Sequence, residues 1–279
     1  MNRIAGFLAL AASALLVGPA LSADLPTKKE APAPIPEPVL PSAWQFEITG
    51  YGWGSSIAGS TGFGSLPSTP YYAPFAKVLE HFQGGLMGAA VARNDTFIAG
   101  LDFIGSRIGD SGTLEKPYSP LLGGRAGLKL TEVVVTAFGG VRLPVPIPKL
   151  DLYGTVGARY FNSGTELTIT PPLGFGVTKS VNKDWVMPVG GFVAHYRFDD
   201  RWFSNVAADL GGWSNSATGQ ALLSVGYKWT ANIATTVGYR VLYTYDKQDT
   251  GYDFITFEPK SFRYQQWMYG PFAGFKFMF

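Results

Sequence analysis

The C-terminal segment 267–279 alternates between large apolar side chains and small or charged ones, and this feature constrains the fold most. Its first set is Trp267, Tyr269, Pro271, Ala273, Phe275, Phe277 and Phe279. Its second set includes Gly270, Phe272, Gly274 and Lys276. Because successive side chains of a β-strand point to opposite faces, the segment is predicted to be a strand with one strongly apolar face.

The same period of two recurs upstream. Val237, Tyr239 and Val241 share one parity, while Thr236 and Arg240 share the other. The alternation predicts ten strands, near 44–56, 82–93, 96–107, 126–143, 150–161, 185–198, 202–213, 220–229, 233–245 and 267–279. Tight connections alternate with longer ones, near 57–81, 108–125, 162–184 and 246–265, and a shorter one at 214–219. An even strand number with short turns at one end is typical of bacterial outer-membrane barrels and places both termini in the periplasm.

Composition also favours a membrane protein built of strands. Only 15% of the residues are charged, against about 25% in an average soluble domain. Yet no segment after the N-terminal region offers the ~20 consecutive apolar residues of a membrane-spanning helix. We therefore expect an all-β fold, a closed antiparallel transmembrane β-barrel. A soluble β-sandwich is the alternative, but it does not usually place Tyr, Trp and Phe on the same outward parity of several strands.

Charge and cysteine content exclude several classes of function. The net charge of +2 gives no reason to expect nucleic acid as a partner. The chain has no Cys, which excludes disulfides, thiolate metal sites and cysteine nucleophiles.

The tryptophans fall near both predicted ends of the strands, as expected for the two membrane interfaces. Those near periplasmic ends are Trp44, Trp202 and Trp229, and those near outer ends are Trp53, Trp185, Trp213 and Trp267. Trp202 and Trp213 have opposite parity, as do Trp44 and Trp53. Either a bulge intervenes, or one member of each pair points inward.

The inward parity collects charged side chains that are predicted to line the lumen. They are Glu47, Arg93, Asp102, Glu132, Arg142, Asp151, Arg159, Arg197, Asp209, Lys228, Arg240 and Lys276. Charged groups that face lipid at mid-bilayer cost about 2–4 kcal/mol, so inward placement is expected. In a narrow barrel these side chains either fill the lumen with salt bridges, which we favour, or line a small polar pore.

One segment breaks the strand pattern. Phe75, Val78, Leu79 and Phe82 have helical spacing just before the second strand. We expect a short amphipathic helix at the outer mouth that serves local packing, with a ligand gate as the alternative.

The N-terminal region reads as a targeting segment followed by a spacer. Residues 1–23 combine Arg3, a short apolar run and small residues before a cleavage point after Ser22 or Ala23. These are the features of a secretory signal peptide, with an uncleaved anchor as the alternative. Residues 24–43 are rich in proline and predict an extended periplasmic leader before the barrel at 44–279. The leader is either a flexible connection or a contact for a periplasmic partner.

The sequence offers little for enzyme chemistry. His81 and His195 are predicted at opposite ends of the barrel, too far apart to share a metal or a proton. Ser204 is near His195 but has outward parity. No arrangement of acidic residues and His at the loop tips matches that of the ten-stranded omptin proteases. We therefore expect no catalytic residues, no metal site and no cofactor.

Several stretches resemble a mostly uncharacterised family of small outer-membrane β-barrel proteins common in alphaproteobacteria. They are Y-G-W-G-S-S-I-A-G at 51–59, F-Q-G-G-L-M-G-A at 82–89, D-L-Y-G-T-V-G-A-R-Y at 151–160, D-R-W-F at 200–203, A-D-L-G-G-W at 208–213, V-G-Y-R at 237–240 and G-P-F-A-G-F-K-F-M-F at 270–279. The terminal Phe279 resembles the signal by which the outer-membrane insertion machinery recognises its clients. The family supplies no catalytic residues, and the loops near 63–74 and 246–265 match it least.

These observations predict a non-enzymatic protein of the bacterial outer membrane. Its expected partners are the lipid bilayer, lipopolysaccharide and the insertion machinery, and its oligomeric state stays open. Its role is either envelope structure or a narrow passive pore, and the alternative is binding or adhesion through the outer loops.

Overall fold

The structure is a computed structural model that describes residues 44–63, 68–113, 125–170, 177–252 and 259–279. The predicted signal peptide at 1–23 and the leader at 24–43 lie outside the described residues. Among the described residues, no helix is long and apolar enough to cross a bilayer.

The described chain forms strands and one short helix. The strands are β1 (Gln45–Trp53), β2 (Ser56–Phe63), β3 (Thr69–Ala73), β4 (Phe82–Arg93), β5 (Phe97–Thr113), β6 (Arg125–Leu143), β7 (Leu150–Thr170), β8 (Val177–Arg197), β9 (Trp202–Trp213), β10 (Ser216–Lys228), β11 (Ile233–Tyr252) and β12 (Pro259–Met278), and the helix is α1 (Phe75–Glu80). Strands β4 to β12 each pair with the next, and β1 pairs with both β4 and β12. The result is the predicted closed antiparallel barrel of ten strands.

The strands are staggered around the barrel. Starting at Glu47 on β1 and following the directly paired residues once around the ring leads to Gly59 on β2. Because β2 continues the path of β1, the ring closes with a shift toward the outer end. Such a stagger requires strands that tilt against the barrel axis, by about 35–45° in typical barrels. Residues paired in register therefore lie at different depths in the membrane.

Burial follows the predicted parity. On β12, Tyr264, Gln266, Met268, Phe272 and Lys276 are buried. The outward members of the same strand that stay exposed are Trp267, Phe275 and Phe277. On β11 the inward Thr236 and Arg240 are buried and the outward Val237 and Tyr239 exposed. The predicted division into buried inward positions and exposed apolar outward positions therefore holds on these strands, but the buried set includes the apolar Met268 and Phe272.

The predicted outer loops are shorter than expected, because the strands continue into them. β7 runs to Thr170 and β8 starts at Val177, so most of the predicted loop 162–184 is a paired hairpin. β11 and β12 shorten the loop 246–265 in the same way, and β5 and β6 shorten 108–125. Backbone pairing needs no alternation of apolar and polar residues once the strands leave the hydrocarbon, so alternation underestimates their length.

The predicted loop 57–81 is also structured. After a break at Gly54 and Ser55, β2 continues the path of β1 along β12 and pairs with β3 on its other side. The helix predicted from the spacing of Phe75 to Phe82 is confirmed as α1, which ends earlier, at Glu80. β2, β3 and α1 thus form a compact structure at the outer end of the first strand.

Candidate functional site

The lumen is the candidate site, and its side chains lie in layers from the periplasmic end to the outer end. At the periplasmic end, Glu47 is held by two cations. Its carboxylate lies 2.6 Å from the Arg93 guanidinium and 2.5 Å from Lys276 Nζ. Glu47 and Lys276 are buried, and β1, β4 and β12 place the three side chains side by side. The buried carboxylate of Glu47 is therefore fully compensated, and the layer as a whole keeps one excess positive charge.

A second periplasmic cluster surrounds Asp151. Its carboxylate accepts a hydrogen bond from Arg142, and Arg197 lies 3.7 Å away. Arg142 also lies 3.4 Å from Asp95 in the turn before β5. This cluster joins β6, β7 and β8 at the rim, where the Arg side chains are partly exposed.

Half-way up the barrel, Arg240 is buried and held by three polar side chains. It lies 2.5 Å from Asp102, and it donates to the Tyr51 hydroxyl (2.7 Å) and to Gln220 Oε1 (2.5 Å). Its guanidinium also lies 5.2 Å from the ring centroid of Trp53, a cation–π distance. Arg240 therefore links strands β1, β5, β10 and β11 across the lumen.

Arg159 occupies the other side of the same layer. It lies 2.8 Å from Asp209 and donates to the hydroxyls of Thr136 (2.9 Å) and Thr218 (2.8 Å). The exposed fraction of its side chain is 0%. Every charged member of this middle layer is thus matched by an opposite charge, which a buried ion requires.

Above the ion pairs, large apolar side chains fill the lumen. Phe161 stacks on Trp185 with ring centroids 4.9 Å apart, and Tyr264 packs against both rings. The other buried apolar members of this layer are Trp53, Ile57, Val78, Ile104, Val134, Met187, Leu242, Met268 and Phe272. We call this set the apolar layer. It lies inside the barrel, where the sequence predicted polar side chains.

A polar cluster lies beside the apolar layer, toward the outer end. Glu132 Oε1 lies 2.8 Å from the Tyr264 hydroxyl and accepts a hydrogen bond from Gln266 Nε2 at 2.7 Å. Tyr71 of β3 donates to Gln266 Oε1 at 2.9 Å and ties the outer structure to the barrel. The buried Oε2 atom of Glu132 has no hydrogen-bond partner among the described residues.

A cavity of about 60 Å³ lies next to the middle layer, and its polar lining includes Asp102, Asp209, Thr136, Thr155 and Gln220. A water molecule needs about 10–15 Å³ on this measure, so the cavity has room for a few. It has space for water beside the two carboxylates but is too small for an organic solute.

The charged residues singled out in the sequence occupy lumen-facing positions of their strands. The structure brings together Glu47 with Lys276, Arg142 with Asp151 and Arg197, Arg159 with Asp209, and Arg240 with Asp102. Glu132 belongs to the outer polar cluster, and Lys228 lies half-buried at the periplasmic end of β10.

The two histidines lie at opposite ends of the barrel. His195 is buried at the periplasmic end with Nδ1 2.7 Å from Asn205 Oδ1, whereas His81 follows α1 at the outer end. Within the described ranges, no three His, Asp or Glu side chains gather as a metal site requires.

Trp53 and Trp185 are buried in the lumen, which corrects their placement at the membrane interface. The opposite parity of Trp44 and Trp53 had left this orientation open.

Comparison with known proteins identifies the fold. No known protein family matches the sequence, and no curated protein does either. Among solved structures, the outer-membrane protease OmpT of Escherichia coli matches with a TM-score of 0.52 and 11% identity, covering 85% of this chain and 97% of that chain. The translocator domain of the autotransporter NalP from Neisseria meningitidis matches with a TM-score of 0.37 and 12% identity, covering 83% and 88%. Ail, the attachment invasion locus protein of Yersinia pestis, matches with a TM-score of 0.34 and 11% identity, covering 85% and 99%.

The structural match to OmpT supports the fold, and because the two sequences are only 11% identical it leaves the activity open. The apolar outer wall, with aromatic residues near both ends of its strands, is what a membrane-spanning barrel requires. The chain therefore has the fold of bacterial outer-membrane β-barrel proteins, and its location is the bacterial outer membrane.

Proposed function

We propose that this protein is a non-enzymatic, envelope-structural barrel whose lumen is closed to solutes. The observation that supports this most directly is the apolar layer lying above two buried Arg–Asp pairs. A solute crossing the lumen would have to displace both layers. The proposal chooses the filled lumen over the narrow pore, the two roles that the sequence left open.

The energetics of the middle layer support closure. Breaking a buried ion pair by removing one partner typically costs about 3–5 kcal/mol, because the other charge stays buried and unpaired. Arg159 and Arg240 each have a carboxylate and further hydrogen-bond acceptors within 3 Å. Moving either side chain aside to admit an ion would lose several of these contacts at once.

The apolar layer adds a second barrier. Phe161 and Met187 offer ions and sugars no strong hydrogen bond, Trp185 offers only its single indole N–H, and all three side chains are less than a tenth exposed. Hydrophobic constrictions of this kind stop ions by excluding water. Passive flow through the lumen would therefore require a rearrangement of the packed core.

Conductance in planar lipid bilayers tests the proposal. Purified protein should insert without producing current steps. The double substitution Phe161→Ala with Trp185→Ala removes two large rings from the apolar layer and should produce steps, which also proves that the protein inserts. Val186→Ala, at the outward position between Trp185 and Met187, is the matched control and should stay silent.

Stable steps from the unmodified protein would overturn the proposal. If their ion selectivity then changed on replacing Arg159 and Arg240 together, the lumen would be a charged pore instead.

Membership of the alphaproteobacterial barrel family is also proposed. It is supported by the quoted stretches, several of which lie at packed positions. Asp209 of A-D-L-G-G-W pairs with Arg159 of D-L-Y-G-T-V-G-A-R-Y, and Arg240 of V-G-Y-R reaches Tyr51 of Y-G-W-G-S-S-I-A-G. Relatives with the same four residues would support the assignment, and their replacement in such relatives by unrelated side chains would weaken it.

A second candidate function is binding at the outer end. The hairpins β7–β8 and β11–β12 continue well past Trp185 and Trp267, and backbone pairing supports them. Paired strands of this length extend beyond the membrane on the outer side. Shortening β11–β12 between 246 and 265 should abolish binding to a host or bacterial surface while leaving the barrel folded. Undiminished binding would remove this candidate.

A further inference from the structure

The seam between β1 and β4 is only partly closed by strand pairing. β1 and β4 pair from Gln45 with Arg93 up to Gly50 with Gly88, and the paired register ends there. Both strands continue: β1 stays paired to β12 as far as Trp53, and β4 stays paired to β5 as far as Gly84. Among the described residues, positions 51–53 and 85–87 thus face each other without ladder pairing.

The open part of the seam lies at hydrocarbon depth. Trp53 pairs with Phe272, which lies midway along β12 between the exposed Trp267 and Phe277. Lipid offers no hydrogen bonds there, so a wall normally closes by strand pairing. An unpaired stretch at this depth needs another cover.

Helix α1 provides the cover. The ring of Phe75 lies so close to Gly54 that a Cβ on Gly54 would sit 2.9 Å from it. The Phe75 N–H donates to Ser56 Oγ at 3.0 Å. Val78 points into the apolar layer, while Leu79 stays 59% exposed. The helix therefore has one face in the barrel and one face in the lipid.

The attachment of α1 is weak by ordinary standards. The helix has six residues, and its N-cap residue Pro74 makes no side-chain capping bond. Helices this short are unstable without tertiary support. On its other side the chain enters β4 through a bulge at Gly84, whose φ of +154° suits glycine. The chain is paired to the wall on both sides of the helix, at Ala73 with Ile57 and at Phe82 with Ile108, so α1 itself is the part that can move while the paired wall stays in place.

We propose that the seam admits one hydrocarbon chain of an outer-leaflet lipid, which passes beside Trp53 and Met87 and replaces Val78 in the apolar layer. The seam leads from the hydrocarbon to this layer, and the side chains of Trp53, Met87 and Val78 give it an apolar lining, while the Tyr51 hydroxyl is held by the Arg240 cluster. Met87 packs against the layer and is only partly buried, and methionine adapts readily to irregular shapes. The binding of a lipid chain goes beyond the closed lumen proposed above and does not depend on it.

A lipid chain fits the seam better than a second copy of the protein. A strand of another barrel would have to pair with the edges at 51–53 or 85–87. The ring of Phe75 on α1 packs against Gly54, directly after the edge at 51–53, and would obstruct such a strand. A flexible chain without hydrogen-bonding groups can pass between the helix and the wall, and hydrocarbon is the solvent on this side of the wall.

Photolabelling with a lipid chain tests the proposal. The protein is placed in phosphatidylcholine vesicles that contain a fatty acid with a diazirine in its chain, irradiated, digested and mapped by mass spectrometry. Label is expected on the inward Trp53 and Met87, as well as on outward wall residues such as Leu223 and Val237. The inward Met187, on the far side of the apolar layer, should stay unlabelled.

An engineered disulfide can hold the helix in place. Because the chain has no Cys of its own, two introduced cysteines can pair only with each other. Ser56→Cys with Phe75→Cys joins α1 to β2 where they already touch. Oxidation should abolish label on Trp53 and Met87 without changing label on Leu223, and reduction should restore it. The matched control is Ser204→Cys with Val225→Cys, a directly paired outward position on β9 and β10, which should change nothing.

Two results overturn the proposal: no label on Trp53 and Met87 in the unlocked protein, or the same label after oxidation of the lock. Covalent dimers joined through Leu86→Cys in place of fatty-acid adducts would identify the seam as an interface between copies, which also overturns it.

Discussion

The Arg159 guanidinium and the Asp209 carboxylate lie 2.8 Å apart although their strands, β7 and β9, are not neighbours. β8 lies between them, and it presents Gly191 directly beside Asp209. The absence of a side chain at Gly191 leaves room for a salt bridge over the intervening strand. The pair therefore ties three strands together in the middle of the barrel.

Removing one member of this pair should destabilise the barrel strongly. Arg159→Met leaves Asp209 without its cation, and we expect a loss of about 3–5 kcal/mol in the free energy of unfolding. Urea denaturation in detergent or lipid, followed by tryptophan fluorescence, measures it. The control is Lys129→Met, since Lys129 and its partner Glu166 are both more than a third exposed; we expect about 0–1 kcal/mol there. Equal losses in the two variants would contradict the role given to Arg159.

Two adjacent glycines of β8 should respond very differently to alanine. A Cβ on Gly191 would lie 2.0 Å from the Ala208 carbonyl oxygen, whereas a Cβ on Gly190 meets only the Thr155 oxygen at 3.8 Å. Gly191→Ala must push β9 away and should lower the midpoint of urea unfolding. Gly190→Ala should leave it nearly unchanged. The comparison is made in one lipid and at one pH, and identical midpoints would refute the close packing of β8 on β9.

The alternation of side chains made the wall of the barrel predictable, because a charged side chain that faces lipid destabilises a membrane-spanning strand. The number of strands and the parity of Arg240 and Lys276 follow from that rule. The partners of the charges do not. Which carboxylate meets Arg159 depends on the stagger between strands and on Gly191, and neither can be read from one strand alone.

The apolar layer was missed for a related reason. Phe161, Trp185 and Met187 have inward parity, yet the rule of polar residues inside holds for barrels with a water-filled lumen. A ten-stranded barrel is narrow enough for side chains to meet across it, so its interior packs like a protein core. Large apolar residues at the same parity as the buried arginines are the signal that reveals such a core.

A charge introduced on the outer wall should destabilise the protein more at mid-membrane than at the rim. Leu223 is exposed in the middle of the wall, and Leu223→Arg should cost about 2–4 kcal/mol. Trp229 lies at the periplasmic rim, just after β10, and Trp229→Arg should cost about 0–1 kcal/mol. Folding into lipid vesicles, scored by the shift in gel mobility between unheated and heated samples, gives the folded fraction. A larger loss for Trp229→Arg than for Leu223→Arg would reverse the assigned depths.

The periplasmic turn before β9 should make stability depend on pH. The backbone N–H groups of Trp202 (2.7 Å) and Arg201 (2.8 Å) donate to Asp199 Oδ1, and these hydrogen bonds lower the pKa of Asp199 below its usual 3.8. A lowered pKa in the folded state stabilises the fold above the unfolded-state pKa, and the effect disappears as the pH falls through the folded-state pKa. Asp199→Ala should therefore be less stable than the parent at neutral pH, and the difference should shrink in strongly acidic buffer, where the neutral carboxyl accepts the two hydrogen bonds less strongly.

Urea unfolding at several pH values measures this difference. Asp199→Asn is the control, because its amide oxygen still accepts the two hydrogen bonds but does not titrate. It should keep much of the stability and lose the pH dependence. A pH-independent difference between Asp199→Ala and the parent would show that ionisation of the turn is irrelevant.

The last residue should affect assembly more than stability. Phe279 and Phe46 exchange two backbone hydrogen bonds, of 2.9 and 3.2 Å, at the periplasmic end of the seam between β12 and β1. Phe279→Ala keeps both bonds and removes only the exposed ring. If the ring is the recognition signal that the sequence suggests, this variant should fold into plain vesicles at the parental rate. In vesicles that contain the outer-membrane insertion machinery, it should fold more slowly than the parent. Phe277→Ala, an exposed aromatic of the same parity, controls for the loss of apolar surface, and equal rates for all three proteins would show that the machinery does not recognise the terminal ring.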